Sequence, residues 1–395
     1  MKHLKLFGLA ALALGTAGVA QPPIEAGDLP ASLPINQLQI LGTHNSYSEP
    51  IDPRLVKLAE PQLARFQSML ATMPAERLAL FSEEHPNMGK LSFDEALSYR
   101  HTDLKSQLDL GLRSLELDVN PDPEGGLFLH PAGYRILKQQ GAKDLLPIDT
   151  KALAQPGYKV LHMPDYDFRS RCALFTTCLE QIKQWSDAHP DHVPLFILVE
   201  AKVQAIPIFP DPTRAVPFDA SRFDELDREI LSVIPRDRII TPDDVRGDYP
   251  TLNAAVRAGN WPKLGQARGK ILFLMLTASG DDGTKAYLAG HPSLRGRVAF
   301  LRAEPGEDHA AFLMYDNALV RGAEIRKYVR EGYLVRTRSD IETYEAKIND
   351  KTRADAAFAS GAQIVSTDFP IPGNAYGTSY VVQLPGSGAA RMITP

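Results

Sequence analysis

Apolar positions recur along this chain in two alternating rhythms. Short apolar runs at 36–41, 112–119, 159–162, 193–199, 270–276, 297–302, 333–336 and 362–367 read as strands. Between most of them the spacing turns helical. Leu174, Cys178, Ile182 and Trp185 form one stripe, and helices are expected near 222–233, 323–330 and 344–359. Ser92-Phe93-Asp94-Glu95 is a capping box. It opens a helix with Phe93, Leu97, Leu104 and Leu108 on one face, stopped by Gly111. Eight strands that mostly alternate with helices predict a parallel sheet closed as an irregular TIM (β/α)8 barrel, one domain with loop insertions. An open doubly wound sheet is the alternative, but no glycine-rich phosphate fingerprint follows the first strand. No internal repeat or low-complexity tract interrupts the series.

Composition sharpens this picture at the N-terminus. Lys2, His3 and Lys5 precede an apolar stretch from Leu6 to Val19, and Gly18-Val19-Ala20 offers a small-residue cleavage site before Gln21. This pattern predicts a secretory signal at 1–20, an exported (periplasmic or secreted) protein, a Pro-rich lead-in at 21–35 and the barrel domain over 36–395. No other stretch is apolar enough to span a bilayer. Removing the leader takes away two lysines and moves the net charge from −5 to −7, which argues against nucleic acid as a partner. Cys172 and Cys178 are the two cysteines, and in an exported chain they read as a disulfide. Six residues apart on one regular helix they point to different faces, so the bond requires the helix to begin after Cys172 or to be irregular there. Residues 48–90 carry five prolines and a helical patch near 55–71, an insertion expected to lie over one end of the barrel.

The chemistry-bearing residues fall where strands end, which is where barrel enzymes build their sites. The first strand runs into Leu41-Gly42-Thr43-His44-Asn45-Ser46-Tyr47. The second carries Glu116 and Asp118, two apart and so on one face. The third ends in His162 and the fourth in Glu200. Two carboxylates inside a barrel are costly unless a cation offsets them. Asn45, Glu116, Asp118 and Glu200 form an all-oxygen set that suits a hard cation, calcium by preference. His44 and His162 suit an acid/base pair.

The order His-Asn, Glu-x-Asp, His, Glu resembles the phosphoinositide-specific phospholipase C superfamily. The stretches Thr43–Tyr47, Leu115-Glu116-Leu117-Asp118, Val160–Asp165 and Ile197–Lys202 are most similar to its secreted bacterial, calcium-dependent branch, over about 36–370. The resemblance implies a phosphodiesterase on an irregular TIM barrel. It implies His44 and His162 as the catalytic pair, and Asn45, Glu116, Asp118 and Glu200 as Ca2+ ligands. An inositol 2-hydroxyl attacks phosphorus, giving a cyclic phosphate and diacylglycerol. His130 lies twelve residues after Asp118, close to the spacing of the second histidine in animal relatives. His162 is preferred because it ends a strand and leads into a helix, whereas His130 sits in a Gly/Pro-rich excursion.

Lys202 and Arg302 are candidate phosphate contacts or partners of neighbouring carboxylates. Arg169, Arg336 and Asp368 stand at the same edge without an assigned role. The expected partner is a phospholipid or another phosphodiester, met by transient contact with a membrane surface, and the expected state is a monomer. A glycerophosphodiester phosphodiesterase shares the barrel and the Glu-x-Asp logic, but that family usually follows its first histidine with Arg, where this chain has Asn45. A catalytically silent barrel that binds lipid headgroups is weakened by the presence of both histidines and all four oxygen ligands.

Overall fold

The computed structural model describes residues 29–70, 75–87, 89–202, 208–277, 280–386 and 388–393. The expected leader at 1–20 lies outside these residues, as does most of the lead-in. Ten strands occur among them: β1 (Leu38–Thr43), β2 (Ser114–Asn120), β3 (Lys159–Val160), β4 (Leu195–Ala201), β5 (Ile271–Thr277), β6 (Ala299–Leu301), β7 (Phe312–Asn317), β8 (Leu334–Arg338), β9 (Ile364–Thr367) and β10 (Ala390–Met392). Eight are parallel, in the order β6-β5-β4-β2-β1-β9-β8-β7. The two ends of that path meet at the bridge Arg302–Phe312. Helices fill the crossovers, so this is the expected α/β barrel, with its closure reduced to a narrow seam between β6 and β7.

The strand count of eight hides two errors that cancel. Residues 159–162 are not a barrel stave. β3 is a two-residue strand paired antiparallel to the far end of β2, through Val119–Val160 and Asn120–Lys159. The sixth stave, β7, shows no strand pattern in the sequence, because Phe312-Leu313-Met314-Tyr315-Asp316-Asn317 has little β-branching and ends in turn-forming residues. The 93–110 helix is also two: Phe93–Ala96 and Leu104–Asp109, the second capped by Asp103. The capping box at Ser92 and Glu95 is formed. The 344–359 helix breaks at Asn349, which takes a left-handed conformation at φ 55° between Tyr344–Ile348 and Thr352–Ala359.

Burial follows the apolar runs. Phe196, Ile197, Leu198 and Val199 of β4 are buried, as expected for a stave covered on both sides. At Gly42 a Cβ would stand 2.4 Å from Ser114 Cβ, so the glycine lets β1 and β2 approach at the level just below the site. The insertion forms helices Pro53–Leu70 and Ala75–Glu84. Leu55 and Ala59 pack with Phe128, Ala132, Leu161, Tyr166 and Phe209 in a second apolar cluster beside the main core. Cys172 and Cys178 are joined, with Cα atoms 5.3 Å apart. The helix begins at Phe175, which places Cys172 on the chain before it and meets the geometric condition for the bond.

Candidate active site

Residues paired across a parallel ladder share a face. Asp118 pairs with Glu200, and Gly42 with Ser366, which pairs in turn with Arg338. Alternation therefore sends His44, Glu116, Asp118, Glu200, Lys202, Arg336, Arg338 and Asp368 to the inward face at the C-terminal end of the barrel. These residues form two neighbouring groups.

The first group is acidic. Glu116, Asp118 and Glu200 present ligand oxygens within 4.8 Å of one another. A calcium ion with oxygens at 2.3–2.6 Å spans about 5 Å from ligand to ligand, so the spread fits. Three carboxylates held this close, two of them buried, cannot all ionise cheaply. Burial, with Asp118 and Glu200 adding to it against Arg336, pushes Glu116 up to about 8. Asp118 is raised by burial, against the Lys202 charge. Neutralisation is partial. Lys202 Nζ lies 2.9 Å from Asp118 Oδ2 and 3.0 Å from Glu200 Oε2, and Arg336 Nη2 donates to Glu116 Oε2 at 3.0 Å. Arg336 also pairs with Asp316 of β7. Neither oxygen of Asp118 receives a well-aligned hydrogen bond, although both are buried.

Asn45 follows β1 by two residues. It takes a left-handed turn at φ 44°, which an asparagine tolerates better than most residues. Its Nδ2 donates to Tyr99 Oη at 2.6 Å, leaving Oδ1 buried without a partner. A buried carboxamide oxygen with nothing to accept is unusual. The oxygens of Glu116, Asp118 and Glu200 therefore fit a hard cation on their own chemistry.

In the second group the carboxylate is paired on both oxygens. His44 Nδ1 lies 3.0 Å from Asp368 Oδ1, and Arg338 Nη2 donates to Asp368 Oδ2 at 2.9 Å. His101 Nε2 donates to the His44 carbonyl at 2.9 Å. Burial, reinforced by Arg338 and Arg336, holds His44 well below the usual histidine range, so its ring is neutral at physiological pH. Opposite stands His162, whose Nδ1 meets Asp167 Oδ2 at 2.9 Å. It lies near enough to His44, Asp118 and Asp368 to interact electrostatically with all three.

Other expected residues fall elsewhere. His130 is exposed and lines a separate cavity with Tyr134, Lys143 and Pro147. Arg302 continues the inward register of β6, but its exposed guanidinium pairs with Glu304 at 3.0 Å. Arg169 staples loops through Glu49 and the Pro50 and Pro147 carbonyls. Arg338, Asp316, Asp167, His101 and Tyr99 were not anticipated. The Arg-x-Arg of β8 carries the same period-two signal as Glu-x-Asp on β2, but the strand was read as ending at Arg336. A cavity of about 520 Å³ adjoins the site, lined by Ile51, Val56, Leu97, Tyr99, His101 and Phe369.

The family model described as phosphoinositide phospholipase C, Ca2+-dependent, matches residues 33–394. The chain belongs to this family. Calcium-dependent phosphoinositol-specific phospholipase C from the Gram-negative bacterium Pseudomonas sp. has a similar structure. Its myoinositol complex superposes with TM-score 0.52 at 13% identity, covering 94% of this chain and 99% of that one. A crystal form of the same enzyme gives TM-score 0.51 at 14% identity, covering 92% and 97%. At this identity the superpositions speak for the fold. No curated protein sequence matches. As a member of the family the chain is a phosphoric diester hydrolase of phospholipase C type, calcium is the cofactor of that family, and Glu116, Asp118 and Glu200 could hold the ion.

Proposed function

We propose that the protein cleaves phosphatidylinositol, or a closely similar phosphodiester, by intramolecular attack of the inositol 2-hydroxyl on phosphorus, with His44 and His162 as base and acid. What supports this reading is a neutral His44 oriented by Asp368, in the same barrel end as the carboxylate oxygens of Glu116, Asp118 and Glu200 gathered within 4.8 Å. Calcium bound there would supply positive charge to the phosphate and acidity to the attacking hydroxyl. Asp368 holds the Nδ1 proton of His44, which leaves Nε2 to take the 2-hydroxyl proton as the oxygen–phosphorus bond forms. His162, oriented by Asp167, delivers a proton to the glycerol oxygen as its bond to phosphorus breaks. The products are inositol cyclic phosphate and diacylglycerol. Lys202 and Arg302 are proposed to contact phosphate oxygens once substrate competes with their carboxylate partners.

Transient contact with a lipid surface fits the rim of the adjoining cavity, where Ile51, Val56 and Leu97 stand among Lys57 and Arg100. We further propose one domain over 36–395, a monomer, and export by a signal at 1–20. The test is hydrolysis of phosphatidylinositol and of glycerophosphodiesters, with calcium and with chelator, followed by phosphorus NMR. Cyclic inositol phosphate formed only with calcium is the expected result. Activity unaffected by chelation overturns the metal assignment, and release of glycerol phosphate replaces the substrate class with that of a glycerophosphodiester phosphodiesterase.

A further inference from the structure

Behind Asp368 stands a second buried carboxyl that the reaction does not use. The β8–β9 ladder ends at the pair Arg338–Ser366. Two residues on, the Asp340 side chain takes over where backbone pairing stops. Its Oδ1 accepts the Asp368 backbone N–H at 2.8 Å. Its Oδ2 accepts the hydroxyls of Thr367 at 2.5 Å and Ser339 at 2.8 Å. Tyr380, from the C-terminal segment, donates to the Ser339 carbonyl at 3.1 Å and reaches Asp340 Oδ2 at 3.4 Å. Asp340, Thr367, Ser339 and Tyr380 are all fully buried.

We propose that Asp340 is a positioning residue: it fixes the backbone of Asp368 and thereby the Nδ1 orientation of His44, linking the packing of the C-terminal segment to the catalytic histidine. The argument is geometric. Asp368 makes one contact to His44 and one to Arg338 from a short chain just past the end of β9. A carboxylate on so short a chain is placed only as well as its backbone, and that N–H is tied down by Asp340. Burial, with the Asp368 charge second and Arg338 opposing, pushes Asp340 up to about 7. The group is thus held in the interior at a standing electrostatic disadvantage, which an apolar filler would avoid.

This inference rests on His44 acting as the base, and its test separates the two ideas. Asp340→Asn keeps an oxygen for the Asp368 N–H and an amide for the hydroxyls. Asp340→Ala removes both. For Asp340→Ala, kcat is expected to fall at least about tenfold with KM within about threefold. Asp340→Asn is expected to restore kcat to within about threefold of the natural protein. On histidine-labelled full-length chain, the His44 Nδ1 proton resonance, assigned by its loss in His44→Gln, should move or broaden in Asp340→Ala and hold its place in Asp340→Asn. That readout needs no turnover, so it decides the positioning role even where the proposed reaction fails. An unmoved His44 resonance in Asp340→Ala overturns the proposal, as does an unchanged kcat. Should Asp340→Ala not fold, Thr367→Val removes one tie to the same carboxylate, and an unmoved resonance there overturns it equally.

Discussion

The two halves of the site are built to opposite rules. On the β8–β9 side every acid has its partner: Asp368 has His44 and Arg338, and Asp340 has Thr367, Ser339 and the Asp368 backbone. On the β2–β4 side Asp118 lacks aligned donors, Asn45 Oδ1 has none, and Glu116 sits far above the ordinary carboxylate range. Carboxylates whose oxygens are paired hold their partners in place, whereas crowded buried carboxylates store electrostatic strain that a cation can relieve. The paired side orients a histidine, and the strained side awaits a cation.

Losing the side chain that interacts with both sides should have the largest effect. His162→Ala is expected to lower phosphodiesterase activity by about 10³-fold or more, while His130→Ala leaves it near that of the natural protein. Steady-state kinetics on both variants check the choice, and the reverse outcome exchanges the two histidines. Next, Asp118→Asn strikes the strained side. It should weaken calcium binding at least about 100-fold, as read by calorimetry, and raise the melting temperature of the metal-free protein by relieving like-charge crowding. On the paired side Asp368→Asn should do the opposite, leaving calcium affinity intact while kcat falls about 100-fold. If both variants shift calcium binding alike, the comparison fails.

The pH dependence sharpens the same contrast. Glu116 titrates about 8 when folded against an ordinary value of 4.5, so the folded, metal-free protein binds the extra proton. That contribution to stability is complete below about pH 4.5 and is lost as pH rises through 8. Asp340 and Glu229, each pushed up to about 7, act in the same direction. Metal-free melting temperatures should therefore fall between pH 5 and 8. Calcium, which takes the deprotonated ligand, should suppress the Glu116 part of that fall, and its apparent affinity should rise with pH to about 8 and then level off. His44 acts at the other end: its folded value is depressed, so its share of stability is lost only as pH falls below about 6.5. The smallest effect is expected at Arg302→Ala: KM rises about tenfold through loss of the proposed phosphate contact, while the melting temperature holds, since its exposed pairing with Glu304 contributes little.

Much of the strained side was legible in the sequence. Glu116 and Asp118 interrupt an apolar strand at period two, and Glu200 ends the next stave, so residue type and spacing alone set them on one face. The disulfide was legible too, because the helix start after Cys172 is a local matter. The paired side was far less so. Arg338 lay one register step beyond the strand end that was read, Asp316 sat in the unread stave β7, and Asp167 followed His162 in a loop.

The chain by itself thus determined the barrel, the carboxylates Glu116, Asp118 and Glu200 on one face, and the match to its family, because these depend on short-range periodicity and on order along the chain; His162 was singled out as a strand end, yet β3 stops at Val160. Only the tertiary structure decided which charges neutralise one another. His44 and Asp368 are separated by 324 residues and Arg336 and Glu116 by 220. They meet because the closed sheet sets β9 beside β1 and turns the inward face of β8 toward that of β2. Electrostatic pairing depends on distance in space and on burial, and neither is written in sequence separation.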